Sequence, residues 1–281
     1  MKIGIFDSGL GGLFTLKAIA KALPEYDYVY LGDTKRLPYG SRSQETIYQF
    51  LKEGVDFLFS QKCLLIIVAC NTASAEALRR LQQEYVPKKY PGRNVLGMIV
   101  PMTEASAGYA RVGLVATSAT IFSEAYTREF RKRAPKTKLF PFATPLLVPL
   151  IERADPTSAS GQAKWLRPIL KDYLAHFKHI AKGHPEKKID ALLLGCTHYA
   201  IVKKEFRALL PKSVAIISQD MVVPKKTKDY LKRHPEIERK LSKKGTRAFF
   251  VTDTTDQFKD IANAWFGKKI VIRKVSIEEP A

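Results

Sequence analysis

The stretch Leu64-Leu65-Ile66-Ile67-Val68-Ala69-Cys70-Asn71-Thr72-Ala73-Ser74-Ala75-Glu76-Ala77-Leu78 decides the fold. Its first six residues are uncharged and apolar, a run of strand length with no polar face, as expected of a strand buried on both sides. Its last six are mostly good helix formers. Between them stand three small polar residues, Cys70, Asn71 and Thr72. A buried strand that runs through a short polar turn into a helix is half of a parallel crossover, because parallel neighbours cannot be joined by a hairpin.

The same plan recurs in IGIFDSGLGG from Ile3, RVGLVATSATIFSEAY from Arg111 and DALLLGCTHYAIVKKEF from Asp190. Further apolar runs lie at Tyr28–Leu31, Val95–Val100, Val214–Ile217, Ala248–Val251 and Ile270–Ile272. Between them, Leu166, Ile169, Leu170, Tyr173, Leu174 and Phe177 follow helical spacing and predict one apolar stripe for the core. The expected class is α/β with mostly parallel sheets flanked by helices. The four segments form two pairs, and in each pair a thiol-bearing segment follows a Ser/Thr-bearing one. ACNTASA loosely parallels GCTHYAI, so the chain reads as pseudo-duplicated: two pseudo-symmetric lobes with the active site in the cleft between them. Residues 1–100 plus 211–281 are assigned to the first lobe and 101–210 to the second. Ligands of parallel sheets bind beyond the carboxyl ends of the strands, where Asp7, Cys70, Thr117 and Cys196 all fall.

The 281 residues are 46% hydrophobic and 26% charged, the balance of an ordinary globular protein. The first apolar run is broken at Asp7, too early for a signal-peptide core, and no run approaches membrane-spanning length, so the cytoplasm is the expected compartment. Three cysteines, Cys63, Cys70 and Cys196, without C-x-x-C spacing argue against a disulfide framework and a structural zinc site. Forty-seven basic against 27 acidic side chains give a net charge of +20, which attracts anions. The basic residues are dispersed, as at Lys132-Arg133 and Lys225-Lys226, and accompany no nucleic-acid module. Steering of a small acidic substrate is therefore preferred to nucleic-acid contact.

Asp7-Ser8-Gly9-Leu10-Gly11-Gly12 follows a strand, opens a helix and is succeeded by Asp33 at the next strand's end, which suggests a dinucleotide site. Phe14 stands where that fingerprint needs its third glycine, so the glycines are read as a tight turn facing the cleft. Asp7 could accept from an ammonium or move a proton. Cys70 sits at a helix N-terminus, where the macrodipole should lower a thiol pKa from about 8.5 towards neutrality. Asn71 or Thr72 is the expected N-cap. Cys196-Thr197-His198 repeats the arrangement. One nearby histidine without paired-ligand spacing does not make a metal site, so no metal is expected. A cysteine hydrolase built on Cys196 and His198 would leave Cys70 without a role. Two thiols across a cleft suit inversion at an acidic carbon: one removes the α-proton and the other returns a proton to the opposite face. Such chemistry needs no cofactor, provided fixed donors stabilise the carbanion, and Ser8, Asn71, Thr72, Thr117, Thr120 and Thr197 are candidates.

GIFDSGLGGLFTLKAI, LGD, LPYGSRS, VACNTASA, GLVATSATIFSEAY, VPLIE and LLLGCTHY, in this order, closely resemble the glutamate racemase family across most of the chain. The resemblance implies cofactor-independent inversion of free glutamate, supplying D-glutamate for bacterial peptidoglycan. By motif position, Cys70 would act on the D enantiomer and Cys196 on the L enantiomer, assisted by Asp7 and His198 respectively. Substrate contacts would fall on Asp7, Ser8, Tyr39, Gly40, Asn71, Thr72, Thr197 and His198, with Thr117, Thr120 and Glu152 as further candidates. The substrate is the expected partner, and a homodimer is the candidate assembly. Related aspartate racemases share the chemistry and are the nearest alternative. Ser218-Gln219-Asp220 departs from the family's late Asp-Ser element.

Overall fold

Every strand ladder among the described residues is parallel, as the strand-turn-helix repetition requires. The computed structural model describes residues 1–153, 159–181 and 188–278. Its strands are β1 (Lys2–Asp7), β2 (Tyr28–Gly32), β3 (Cys63–Val68), β4 (Asn94–Leu96), β5 (Arg111–Ala116), β6 (Lys138–Ala143), β7 (Ala191–Gly195), β8 (Ala215–Ile217), β9 (Arg247–Val251) and β10 (Ile272–Lys274). One sheet runs β10-β9-β2-β1-β3-β4 and the other β6-β5-β7-β8. Written from the opposite edge, the first four strands lie in the order 4-3-1-2, and β5 to β8 repeat that order as 8-7-5-6. The strands that lead to Cys70 and Cys196, β3 and β7, are thus the third of each set and pair with the first.

Alternation along the strands explains the layering. In β1, Ile3 and Ile5 pack with Leu13, Leu16 and Ile19 of the Gly12–Ala22 helix, in a core continuous with that of the second sheet. Phe6 faces the opposite side, with Ile47, Leu51, Val55 and Leu58 of the Gln44–Ser60 helix. Burying each such Leu, Ile or Phe contributes about 1.5–3 kcal/mol, which is why the first sheet carries helices on both faces. In the Ala159–Ala181 helix, Leu166, Leu170, Leu174 and Phe177 are buried, so the expected stripe is core packing.

Several expectations need correction. The run Val95–Val100 is not one strand: β4 ends at Leu96 and a helix, Ile99–Ser106, begins. Gly97 lies against Leu78 and Ser74, and the Met98 N–H donates to Ser74 Oγ at 3.3 Å, which turns the chain. Pro101 fits that helix's first turn, where N–H groups have no intrahelical acceptor. β6 escaped notice because KLFPFA contains a proline, which is tolerated on an edge strand, and β6 is the sheet's edge. The last strand lies at Ile272–Lys274 rather than Ile270–Ile272. The change of sheet does not fall at residue 211: β8 pairs with β7, and only β9 and β10 join the first sheet.

Candidate active site

Asp7 ends β1, Cys70 stands two residues beyond β3, and Thr117 and Cys196 directly follow β5 and β7, so all four lie at the carboxyl ends of their strands. Cys70 is itself the N-cap of the Asn71–Glu76 helix, in place of the expected Asn71 or Thr72: its Sγ accepts from the Ala73 N–H at 3.4 Å. Its S–H donates to Ser8 Oγ at 3.5 Å. The residue is only 5% exposed. Burial, and then the neighbouring Asp7 charge, push the Cys70 thiol up to about 12, against the opposing bonds to Ser8 and Ala73. The expected depression by the helix terminus is therefore overturned: the helix spans only six residues, and desolvation outweighs its field.

Asp7 is fully buried in the glycine turn. Its Oδ2 accepts from the N–H groups of Gly9 at 3.2 Å and Gly12 at 3.0 Å, while Oδ1 has no partner among the described residues. Burial raises its carboxyl above the usual range; the charge of His198 and the two N–H donors pull the other way without cancelling it. The glycines serve close approach. A Cβ on Gly12 would strike the Asp7 side chain, and one on Gly11 would strike Thr197 and the His198 ring. Asp33 is also buried and accepts from Tyr39 Oη at 2.5 Å, Arg36 Nε at 2.7 Å and Thr252 Oγ1 at 2.9 Å, so it is committed to structure rather than to a ribose.

On the other side, Cys196 is 7% exposed and its Sγ lies 3.8 Å from His198 Nδ1. His198 Nε2 lies 2.9 Å from Glu152 Oε1. Burial disfavours the imidazolium, but hydrogen bonds to Cys196 and Glu152, reinforced by their charges, outweigh it and hold His198 well above its ordinary range. With the β10-β9-β2-β1-β3-β4 sheet and its helices called the first unit and the β6-β5-β7-β8 sheet and its helices the second, Glu152, Thr197 and His198 thus converge beside the Gly9–Gly12 turn of the first unit.

The remaining candidates bridge the units. Thr72 Oγ1 lies 3.0 Å from Thr117 Oγ1 and 3.2 Å from Thr120 Oγ1, which are 2.9 Å from each other. Asn71 Oδ1 accepts from Tyr126 Oη at 2.7 Å, and the buried Asn71 Nδ2 has no partner among the described residues. The Tyr39 hydroxyl is occupied by Asp33, while Gly40 backs onto Thr117, so it is the backbone of this turn that is brought to the site. Three buried neighbours were missed: Tyr126, Gln219 and Trp265. The Trp265 ring meets His198 edge-on with centroids 5.9 Å apart. Tyr126 closes GLVATSATIFSEAY and Gln219 lies in Ser218-Gln219-Asp220, but neither is assigned a role at the site from sequence, and Trp265 comes from a distant segment without a motif. A 440 Å³ cavity elsewhere is lined by Leu78, Arg79, Arg128, Lys226 and Arg233, among others, and includes neither Cys70 nor Cys196.

No group of three His, Cys, Asp or Glu side chains suited to a metal occurs among the described residues, and no helix there is long and apolar enough to cross a membrane.

Comparison with known proteins identifies the family. The family model for Asp/Glu/hydantoin racemase matches residues 13–223. The glutamate racemase of Jannaschia sp. is 36% identical over 98% of this chain and all of its own length. That of Aquifex aeolicus is 37% identical over 96% of each chain. Among solved structures, the Francisella tularensis glutamate racemase in complex with D-glutamate superposes with a TM-score of 0.84 at 30% identity, covering 99% of this chain and 98% of that one. The Thermus thermophilus enzyme in complex with β-chloro-D-alanine gives 0.77 at 33% identity, over 98% and 96%. The chain belongs to the Asp/Glu/hydantoin racemase family and, within it, to the glutamate racemases, which are amino-acid isomerases.

Proposed function

We propose that this protein interconverts L- and D-glutamate with Cys70 and Cys196 as opposed acid/base groups, and so supplies D-glutamate for peptidoglycan in the cytoplasm. The observation that carries the reading is the pair of buried thiols at topologically equivalent strand ends, each beside its own proton-handling partner: Asp7 for Cys70, His198 with Glu152 for Cys196. The two sulfurs also sense one another, since charge on Cys196 raises the Cys70 pKa.

Starting from L-glutamate, the Cys196 sulfur takes the α-proton and the electron pair stays on carbon, delocalised into the α-carboxylate. The Cys70 S–H then gives its proton to the opposite face. One proton is removed and one returned, and the enzyme is left with its protonation reversed. The protonated His198 stabilises negative charge on the Cys196 sulfur, while burial keeps Cys70 as the proton donor at neutral pH. The unpartnered Asn71 Nδ2 and the hydroxyls of Ser8, Thr72 and Thr197, with Thr117 and Thr120 behind Thr72, supply donors for carboxylate charge. The unpartnered Asp7 Oδ1 is suited to the substrate ammonium, whose charge would offset the burial of Asp7 and of Cys70.

The test is proton NMR with L-glutamate in D2O, without added cofactor, alongside optical rotation. Loss of the α-proton signal as rotation falls to zero is expected. Cys70→Ser and Cys196→Ser should each lower turnover by about 10³-fold or more with the fold intact, and near-normal turnover in either would overturn the two-thiol reading. The same tube with aspartate tests the alternative substrate.

A further inference from the structure

We propose that Gln219 is a positioning residue for the Cys70 thiol and ties the peptide that carries it to the second sheet; the inference rests on the two-thiol reading above. The bond that carries it is Gln219 Nε2 to the carbonyl of Ala69, at 3.0 Å. Ala69 immediately precedes Cys70, so this carbonyl belongs to the peptide that carries the thiol.

The carbonyl needs such a donor. The last rung between β1 and β3 is Phe6 with Val68, followed by the Ala69 N–H to the Phe6 carbonyl at 2.8 Å. Beyond it β1 ends at Asp7 and turns away, and β4 pairs only as far as Ile67. Ala69 is fully buried, so water cannot take the strand's place. Gln219, also fully buried, does so. A carbonyl can only accept, which fixes the amide with its nitrogen towards Ala69. Its oxygen is then left to the Thr15 hydroxyl, at the outer limit of 3.5 Å.

Gln219 is anchored on its other side. It opens the Gln219–Arg233 helix two residues after β8. The neighbouring Ser218 Oγ donates to Asp220 Oδ1 at 2.5 Å, and Asp220 pairs with Lys203 of the Lys203–Leu209 helix, which lies between β7 and β8. A chain of contacts therefore runs from the second unit through Gln219 to the peptide of Cys70. The hydrogen bonds of the Cys70 sulfur itself, to Ala73 and Ser8, lie within the first unit. Proton transfer requires reacting atoms within about 3–3.5 Å, so a tilt of the Ala69–Cys70 peptide acts directly on the rate.

The experiment compares Gln219→Met, which keeps the volume and removes the amide, with Gln219→Glu. Both are assayed with D- and L-glutamate carrying deuterium at the α-carbon. Gln219→Met should lower kcat about tenfold with KM within about threefold, since misplacement touches the transition state more than binding. The deuterium effect should rise from the D enantiomer, whose proton Cys70 removes, and not from the L enantiomer. A kcat within twofold of the parent, or an equal rise from both enantiomers, would overturn the proposal. Gln219→Glu covers the case in which the methionine variant fails to fold. Its protonated carboxyl can donate to Ala69 and its carboxylate cannot, so activity relative to the parent should recover as pH is lowered; a ratio independent of pH counts against the proposal. Cys70→Ser run in parallel separates the two failures: an active Cys70→Ser defeats the two-thiol reading, whereas an inactive one beside an unaffected Gln219→Met defeats this inference alone.

Discussion

Glu152 sits at the end of a relay, Cys196 to His198 to Glu152, and its charge is one of the causes that hold the imidazole protonated above its usual range. A raised histidine pKa contributes fully below the ordinary value of about 6.5 and is lost as pH rises through the folded value. Where turnover of L-glutamate depends on the protonated ring, the rate must therefore fall on the alkaline side. Glu152→Gln removes the charge, so that limb should move to lower pH in a kcat/KM profile, while an unmoved limb would separate Glu152 from the relay. Residues at this scale were legible to the degree that local pattern placed them. Cys70, Asp7, Thr117 and Cys196 could be located because an apolar run ending in a small polar turn marks a strand tip. The ionisation of Cys70 could not, because burial depends on the whole assembled core and outweighs the local helix terminus. The contacts of Tyr126 and Gln219, residues of the quoted stretches, were hidden for a similar reason. Each is defined by a partner at long range, Asn71 and Ala69 respectively.

At the scale of elements, the glycine turn after β1 is a spacer as much as a loop. Gly11 leaves room for Thr197 and His198, so Gly11→Ala should push the second unit's turn away from the first, with overpacking of about 1–3 kcal/mol and a drop in kcat. Gly108→Ala is the matched control, since nothing lies within 4 Å of a Cβ there. Equal activity in the two variants would mean that the turn yields without consequence. The sequence pattern was sound for long apolar strands and weak at edges. β6 carries Pro141 and β4 spans only three residues, so neither displays the uninterrupted run that marks β3 or β7. The sheet that receives β8 was likewise hidden, because strand pairing is a tertiary choice that three residues do not announce.

For the whole molecule, Cys63 adds a cost that catalysis does not require. It is fully buried in the core, and burial pushes its thiol up to about 12. Above the ordinary thiol pKa of about 8.5 the unfolded chain releases this proton while the folded chain keeps it, so stability falls as pH rises, by at most about 1.4 kcal/mol per pH unit for each such thiol. Cys63→Val should flatten the decline of the denaturation midpoint between about pH 8 and 9.5, and an unchanged slope would dismiss the effect. The parallel architecture itself followed from the repeated strand-turn-helix segments, and the repeated strand order 4-3-1-2 made their pairing concrete. That repetition bears on symmetry. Two identical subunits related by a twofold axis must present identical groups to whatever lies on the axis. Joined in one chain, the halves are free to differ, and here they have: a carboxylate, Asp7, attends one thiol, and an imidazole with its own carboxylate, His198 with Glu152, attends the other. A single chain thus permits different groups beside its two thiols, a freedom denied to any assembly of equal copies.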